Sequence, residues 1–186
     1  MIYLASTSPR RLELMKEISS VFKTIKPSFD ESIYSSSTPH LALKESLGKA
    51  QSVQQLVNFD DCIISCDTIV TYNDKVFLKP LNLDEAFNTL KFLSAKTHTV
   101  ISGYTIIYKG NIVSKEVITE VTFNDLSDEK IKHYINNAYI LDKAGSYAIQ
   151  DNEKFHLIKS IEGSLDNVIG FPVKEIKDDL IKLKAI

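Results

Sequence analysis

Apolar and polar positions along this chain switch between two periods, and the switches mark its elements. Met1 to Ala5 is an apolar run that reads as a first strand. Leu12, Leu14, Met15 and Ile18 follow at helical spacing within Arg10 to Ile18. Val21 to Ile25 can return as a strand. The polar loop Ser35-Ser36-Ser37-Thr38-Pro39 ends in a cap-plus-proline helix start. The helix it opens presents Leu43, Leu47, Ala50, Val53 and Val57 as one stripe. Cys62 to Ser65 reads as a short buried strand with Asp67 following its end, and Asn73-Asp74 suits a hairpin turn.

Asn82 to Leu93 reads as a further helix, with Asn82 as cap and Glu85 three residues on. Thr97 to Tyr108 and Asn111 to Phe123 are long β-rich runs joined at Lys109-Gly110, an antiparallel hairpin. Ser127 caps a helix through about Asn137. Short strands are expected at Ser146 to Gln150 and Phe155 to Ile161. A last helix starts at Pro172, with Ile176, Leu180 and Leu183 as its stripe. Strands mixed with helices and hairpins predict an α/β fold: a mixed, partly antiparallel sheet flanked by helices. No repeat or linker divides the chain, so residues 1–186 read as a single domain.

Composition narrows the function classes. Hydrophobic residues make up 44% and charged residues 25%, ordinary for a globular protein. A net charge of -2 excludes a general attraction to nucleic acid or anionic membrane. No apolar run is long enough to cross a bilayer, and the start lacks the basic region of a signal peptide, so a cytoplasmic location is expected. Cys62 and Cys66 would lie roughly 13 Å apart in an extended segment, beyond disulfide reach. With no second Cys or His pair nearby they read as small buried apolar residues.

Familiar nucleotide motifs are missing. Gly48-Lys49-Ala50 ends like a P-loop, but Leu43 stands where the upstream glycine belongs and Ala50 where Ser or Thr belongs. What remains is polar chemistry at the ends of elements. Ser6-Thr7-Ser8-Pro9-Arg10-Arg11 joins hydroxyls, a helix start and two planar cations, a local recipe for binding phosphate. The same residues could simply cap a surface helix. Asp67-Thr68 lies where ligands gather in open α/β sheets. Asp30-Glu31 could supply a second carboxylate for Mg²⁺ beside a polyphosphate. Lys49 and Lys79 read by default as solvated lysines, and the Gln150 amide could read a base edge or cap a strand.

Taken in order, LASTSPRR at 4–11, DES at 30–32, KA at 49–50, DTIV at 67–70 and KP at 79–80 resemble the Maf family of nucleoside triphosphate pyrophosphatases. EAFNTLKFLSAKTHTVISG at 85–103, VTFNDLS at 121–127, DKAGSYAIQ at 142–150 and DNVIGFP at 166–172 continue the match across nearly the whole chain. The resemblance implies two lobes around a cleft, akin to the inosine triphosphatase superfamily, and cleavage of the α–β phosphoanhydride bond. It makes Asp67 the catalytic acid, with Glu31 and Lys79 in catalysis, and Ser6, Arg10, Arg11, Lys49, Thr68 and Gln150 on the substrate. Glu31 and Asp67 would share a divalent cation, Mg or Mn. Arg10, Thr68 and Gln150 match the dTTP/UTP branch, in which they bear on specificity. A homodimer is also implied.

Cys66, Leu78, Ala95, Ala148 and Phe171 depart from the family pattern, and Leu78 could re-aim Lys79 by restricting the backbone where glycine is usual. Two other readings compete: a purine house-cleaning enzyme of inosine-triphosphatase type, and a nucleotide-binding regulator of septum formation without turnover.

Overall fold

A computed structural model describes the whole chain, residues 1–186. Its elements run β1 (Ile2–Leu4), α1 (Pro9–Met15), β2 (Lys23–Thr24), α2 (Leu41–Gln54), β3 (Cys62–Tyr72), β4 (Lys75–Phe77), α3 (Leu83–Leu93), β5 (Thr97–Tyr108) and β6 (Asn111–Phe123). There follow α4 (Asp128–Asn137), α5 (Asn152–Phe155), β7 (Ile158–Glu162), α6 (Leu165–Ile169) and α7 (Val173–Lys182). The strands form one sheet ordered β2-β1-β3-β5-β6-β7, with β4 paired to β3. β1 is parallel to β2 and β3, whereas β3–β4 and β6–β7 are antiparallel, which is the mixed α/β sheet the sequence pattern predicts.

The chain groups into two compact units. The first holds Met1–Thr68, Ser102–Val117 and Gly170–Ile186; the second holds Ile69–Ile101 and Ile118–Ile169. β3, β5 and β6 are long enough to supply residues to both. In the first unit Ala5, Ala50, Val53, Ile63 and Ile107 form a buried cluster between α2 and the sheet. Asp179 ties α7 to the strands: Tyr104 Oη donates to its Oδ2 at 2.7 Å, and Lys115 Nζ lies 2.7 Å from the same oxygen. The second unit has a larger core built on Leu90, Leu93, Phe123, Ile131, Tyr134 and Leu157.

Where local chemistry is decisive, pattern and structure agree. Asn73 and Asp74 both adopt positive φ and close the β3–β4 hairpin, and Lys109-Gly110 does the same between β5 and β6. Asn82 accepts from the Glu85 N–H and Ser127 from the Lys130 N–H, capping α3 and α4 as expected.

Four expectations fail for physical reasons. Asp67 does not follow a strand; it sits in the middle of β3, because Thr68, Ile69, Val70, Thr71 and Tyr72 are all strand formers and carry the strand onward. Ser146 to Gln150 is not a strand. Gly145 and Ser146 take positive φ, and the Tyr134 hydroxyl receives the Ala148 N–H at 3.1 Å in place of a ladder partner. α2 starts at Leu41 behind a left-handed His40, not at the Thr38-Pro39 pair.

The stripe of α2 is the fourth. Ala50 and Val53 are buried as expected, but Leu43 and Leu47 are only half-buried, and the covered face is Leu41, Ala42, Glu45, Ser46, Lys49, Ala50 and Val53. Small residues set that rotation by letting the helix backbone come down on the sheet. A Cβ at Gly103 in β5 would lie 2.3 Å from Leu43 N and 2.4 Å from the Ala42 carbonyl carbon.

Gly103→Ala should therefore cost about 3 kcal/mol or more, read by urea denaturation, since both colliding groups are backbone. Ala95 holds φ 56, a left-handed position. Ala95→Gly should accordingly stabilise the protein by roughly 0.5–1 kcal/mol in the same assay.

Candidate active site

Strand period and helix period meet at one point of the first unit. Ile63, Ser65 and Asp67 share one face of β3 because side chains alternate. Ile63 joins the apolar cluster with Ala50 and Val53, and Ser65 Oγ donates to the Ser46 carbonyl at 2.5 Å. Asp67 meets Lys49. The register is pinned by buried hydroxyls: Ser46 Oγ donates to Leu43 O at 2.8 Å and therefore accepts from Thr105 Oγ1 at 2.9 Å, which in turn accepts from Ser114 Oγ at 2.9 Å.

Glu31 reaches the same lysine from an irregular segment, and three contacts bring it there. Asp30 Oδ1 accepts the Ser32 N–H at 2.9 Å and starts the short 3₁₀ turn Glu31–Ile33. Ser28 N donates to Ser52 Oγ on α2 at 3.2 Å. The Phe29 ring lies against Gly48, where a Cβ would stand 2.2 Å from a ring carbon. With the segment docked on α2, Glu31 Oε1 lies 2.7 Å from Lys49 Nζ, which also donates to Asp67 Oδ1.

Asp67, Lys49 and Glu45 are each at least nine-tenths covered. Burial by itself would raise the Asp67 pKa. The charge of Lys49, a hydrogen bond from Glu45 and the charge of Arg11 outweigh it and hold the carboxyl below its ordinary range. Burial likewise opposes the charge on Lys49, but Asp67 and Glu31 keep its pKa above the usual lysine value. Glu45 is pushed up to about 9, first by burial and then by its hydrogen bond to Asp67 and that group's charge, so at neutral pH it is a protonated donor. Deleting Lys49 would leave a buried carboxylate uncompensated, a loss of about 3–5 kcal/mol.

On the opposite face of β3, Arg11 Nε donates to Gly170 O at 2.9 Å and Nη2 to Thr68 Oγ1 at 3.4 Å. Thr68 Oγ1 also pairs with Ser102 Oγ at 2.8 Å. Ser6 is buried, its Oγ accepting the Ser8 N–H at 3.1 Å, and Arg10 is half-buried on α1. The first unit thus holds Ser6, Arg10, Arg11, Glu31, Lys49, Asp67 and Thr68. Lys79 and Gln150 belong to the second unit, where both are exposed.

Glu45 escaped the sequence reading because the Leu43–Leu47 stripe placed it on the outer face. The usable signal was the row of small residues Ala42, Ser46 and Ala50, which puts Glu45 and Lys49 inward. Cys62 and Cys66 are free and buried, their thiols pushed up by burial to about 12 and about 11. His98 is accounted for by packing: it stacks edge-on between Phe123 and Tyr147, Nε2 lies 2.8 Å from Tyr147 Oη, and burial lowers its pKa to about 4.

The donor set fits a hard divalent cation in one way only. No three His, Cys, Asp or Glu side chains gather closely enough to cage a metal alone. Glu31 and Asp67, however, present oxygens to one shared cation, the Lys49 ammonium. One or two carboxylates completed by phosphate oxygens and water is the coordination Mg²⁺ favours.

The family model described as "Maf-like protein" matches residues 1–183. A dTTP/UTP pyrophosphatase of Thermosipho melanesiensis is 46% identical over 179 residues, 96% of each chain. One of Thermosipho africanus is 41% identical over 96% of this chain and 91% of its own, and one of Clostridium botulinum 37% identical over 95% of each. Among solved structures, the Staphylococcus aureus Ham1 protein superposes with a TM-score of 0.53 at 12% identity, covering 98% of both chains, a likeness of fold.

The carboxyl of Glu45 gives the site a pH signature. Between its ordinary pKa of 4.5 and about 9, the unfolded chain has released a proton that the folded chain keeps, so this group lowers stability as pH rises through that window. Urea denaturation from pH 4 to 9 should show Glu45→Gln matching the parent at the acid end and exceeding it increasingly as the pH rises from about 4.5 through that window.

Proposed function

This chain belongs to the Maf family, and we propose that it hydrolyses the α–β phosphoanhydride bond of dTTP and UTP, giving the monophosphate and pyrophosphate. The names of relatives 37–46% identical over nearly the full length support the substrate. The observation that carries the chemistry is the buried Lys49 ammonium shared by Asp67 and Glu31, with Arg11 tethered on the other face of the same strand.

A nucleoside triphosphate brings about four negative charges, and its mutual repulsion must be offset where water is scarce. Lys49 and Arg11 supply fixed positive charge for that purpose and for the charge that develops on departing pyrophosphate. Asp67, kept ionised, orients a water and takes its proton as the oxygen attacks the α-phosphorus; the bond from that phosphorus to the bridging oxygen breaks, and the bridging oxygen leaves with pyrophosphate. Glu31 and Asp67 would hold the divalent cation, Mg²⁺ or Mn²⁺, which when bound supplies further charge neutralisation on the phosphates. In the second unit, Lys79 offers an exposed ammonium, and the Gln150 amide offers the donor and acceptor that match O4 and N3–H of a pyrimidine.

Purified protein assayed with Mg²⁺ or Mn²⁺ against a panel of nucleoside triphosphates should release pyrophosphate and monophosphate fastest from dTTP and UTP. Orthophosphate as the product, or preference for a deaminated purine, would refute the reading. Asp67→Asn at saturating Mg²⁺ should lose about 10²–10⁴-fold in kcat, and wild-type turnover would remove Asp67 from the chemistry.

A further inference from the structure

The guanidinium of Arg11 is held along one edge. Its Nε donates to the Gly170 carbonyl at 2.9 Å and its Nη2 to Thr68 Oγ1 at 3.4 Å, so both contacts use the Nε–Nη2 side of the fork and leave Nη1 with its two donors. The two acceptors are themselves braced. Thr68 stands on β3 and Ser102 on β5, neighbouring strands of the sheet, and their hydroxyl oxygens are 2.8 Å apart. Ser102 is fully buried. The Gly170 carbonyl also receives Cys66 Sγ at 3.3 Å. Gly170 takes φ +112, a backbone state closed to other residues, and a Cβ there would press on Thr68 Oγ1 at 3.2 Å.

We propose that the Gly170 carbonyl, directly, and Ser102, through Thr68, are positioning groups that fix Arg11 in the orientation in which its Nη1 end meets the substrate's phosphate oxygens. This rests on Arg11 being a phosphate-binding residue of the activity proposed above. The physical gain is preorganisation. A free arginine side chain has several rotatable bonds to immobilise when it grips an anion, and a fork already locked along one edge has lost that freedom before the ligand arrives. A bidentate grip is also sensitive to angle, so the tether selects the approach geometry as well as the affinity.

The arrangement gives Thr68 a mechanical part. Its oxygen accepts from Arg11 and is paired with Ser102, so its influence on the nucleotide passes through the arginine it holds. Ser102, which touches no ligand in this scheme, is the nearer partner of the Thr68 hydroxyl at 2.8 Å, with the Gly170 carbonyl as a longer acceptor at 3.4 Å, and so bears most on its orientation.

Ser102→Ala tests this with two readouts that a purely structural role would not move together. The first is solvent exchange of the Arg11 Nε–H proton in the free protein, followed by ¹⁵N NMR and assigned by its loss in Arg11→Lys. The second is the steady-state split for UTP. Exchange should accelerate and KM, together with the inhibition constant for pyrophosphate, should rise, each by roughly tenfold, with kcat changing far less. Ser102→Thr, which keeps the hydroxyl, should restore both. An Arg11 exchange rate unchanged in Ser102→Ala overturns the tether, and an unchanged KM overturns its bearing on substrate. If Ser102→Ala does not fold, Thr68→Val asks the same question from the other hydroxyl, with the same exchange readout. Wild-type protein inert to every nucleotide would sink the proposed activity, while the exchange measurement would still decide whether Arg11 is held as described.

Discussion

A buried ammonium between two carboxylates is the constraint on which the first unit depends. Lys49 cannot leave water for a buried place on α2 unless Asp67 meets it, and Asp67 cannot stand inside β3 unless a cation offsets its burial. Each charge makes the other tolerable, and together they fix how α2 lies on the sheet. The small residues on that helix, the bare backbone at Gly103 and the hydroxyls of Ser46, Ser65 and Thr105 all serve that one close approach.

The same constraint explains the proton on Glu45. One turn before Lys49 on the covered face, a third carboxyl is kept neutral first by its burial and then by its hydrogen bond to Asp67 and that group's charge, so it stays protonated and donates to it. The site therefore keeps an ionised aspartate, a neutral acid, a lysine and an exposed glutamate together with a modest net charge. Arg11 adds its field from the far face of the strand. A triphosphate with a hard cation is the kind of ligand that such a mixture of fixed cations and carboxylate oxygens suits.

Several elements were legible because their causes are local. The Asn73-Asp74 and Lys109-Gly110 turns, the Asn82 and Ser127 caps and the long β5–β6 pair all follow from side chains acting within a few residues. The strand expected at Ser146 to Gln150 and the Leu43–Leu47 stripe failed for the opposite reason. The first is decided by the Tyr134 hydroxyl and a left-handed pair at Gly145-Ser146, the second by a glycine on a strand more than fifty residues away. Among site residues, the motif order pointed to Asp67, Lys49, Glu31, Arg11 and Thr68, whereas Glu45 is signalled only by the small residues around it, and Ser102 and Gly170 lie in matching stretches that give them no role of their own.

By itself, the sequence determined which chemistries are present: two arginines after a hydroxyl-rich strand end, an Asp-Thr pair, a lysine inside a helix and the turns that join the strands. Family membership also follows from the order of those pieces. Only the tertiary structure decided that Asp67 lies within a strand, that Lys49 faces inward with Glu45, and that Arg11 is held by Thr68 and Gly170. The physical reason is that charge state and orientation in a buried site are set by neighbours distant in sequence, through desolvation and hydrogen-bond geometry that no local pattern encodes.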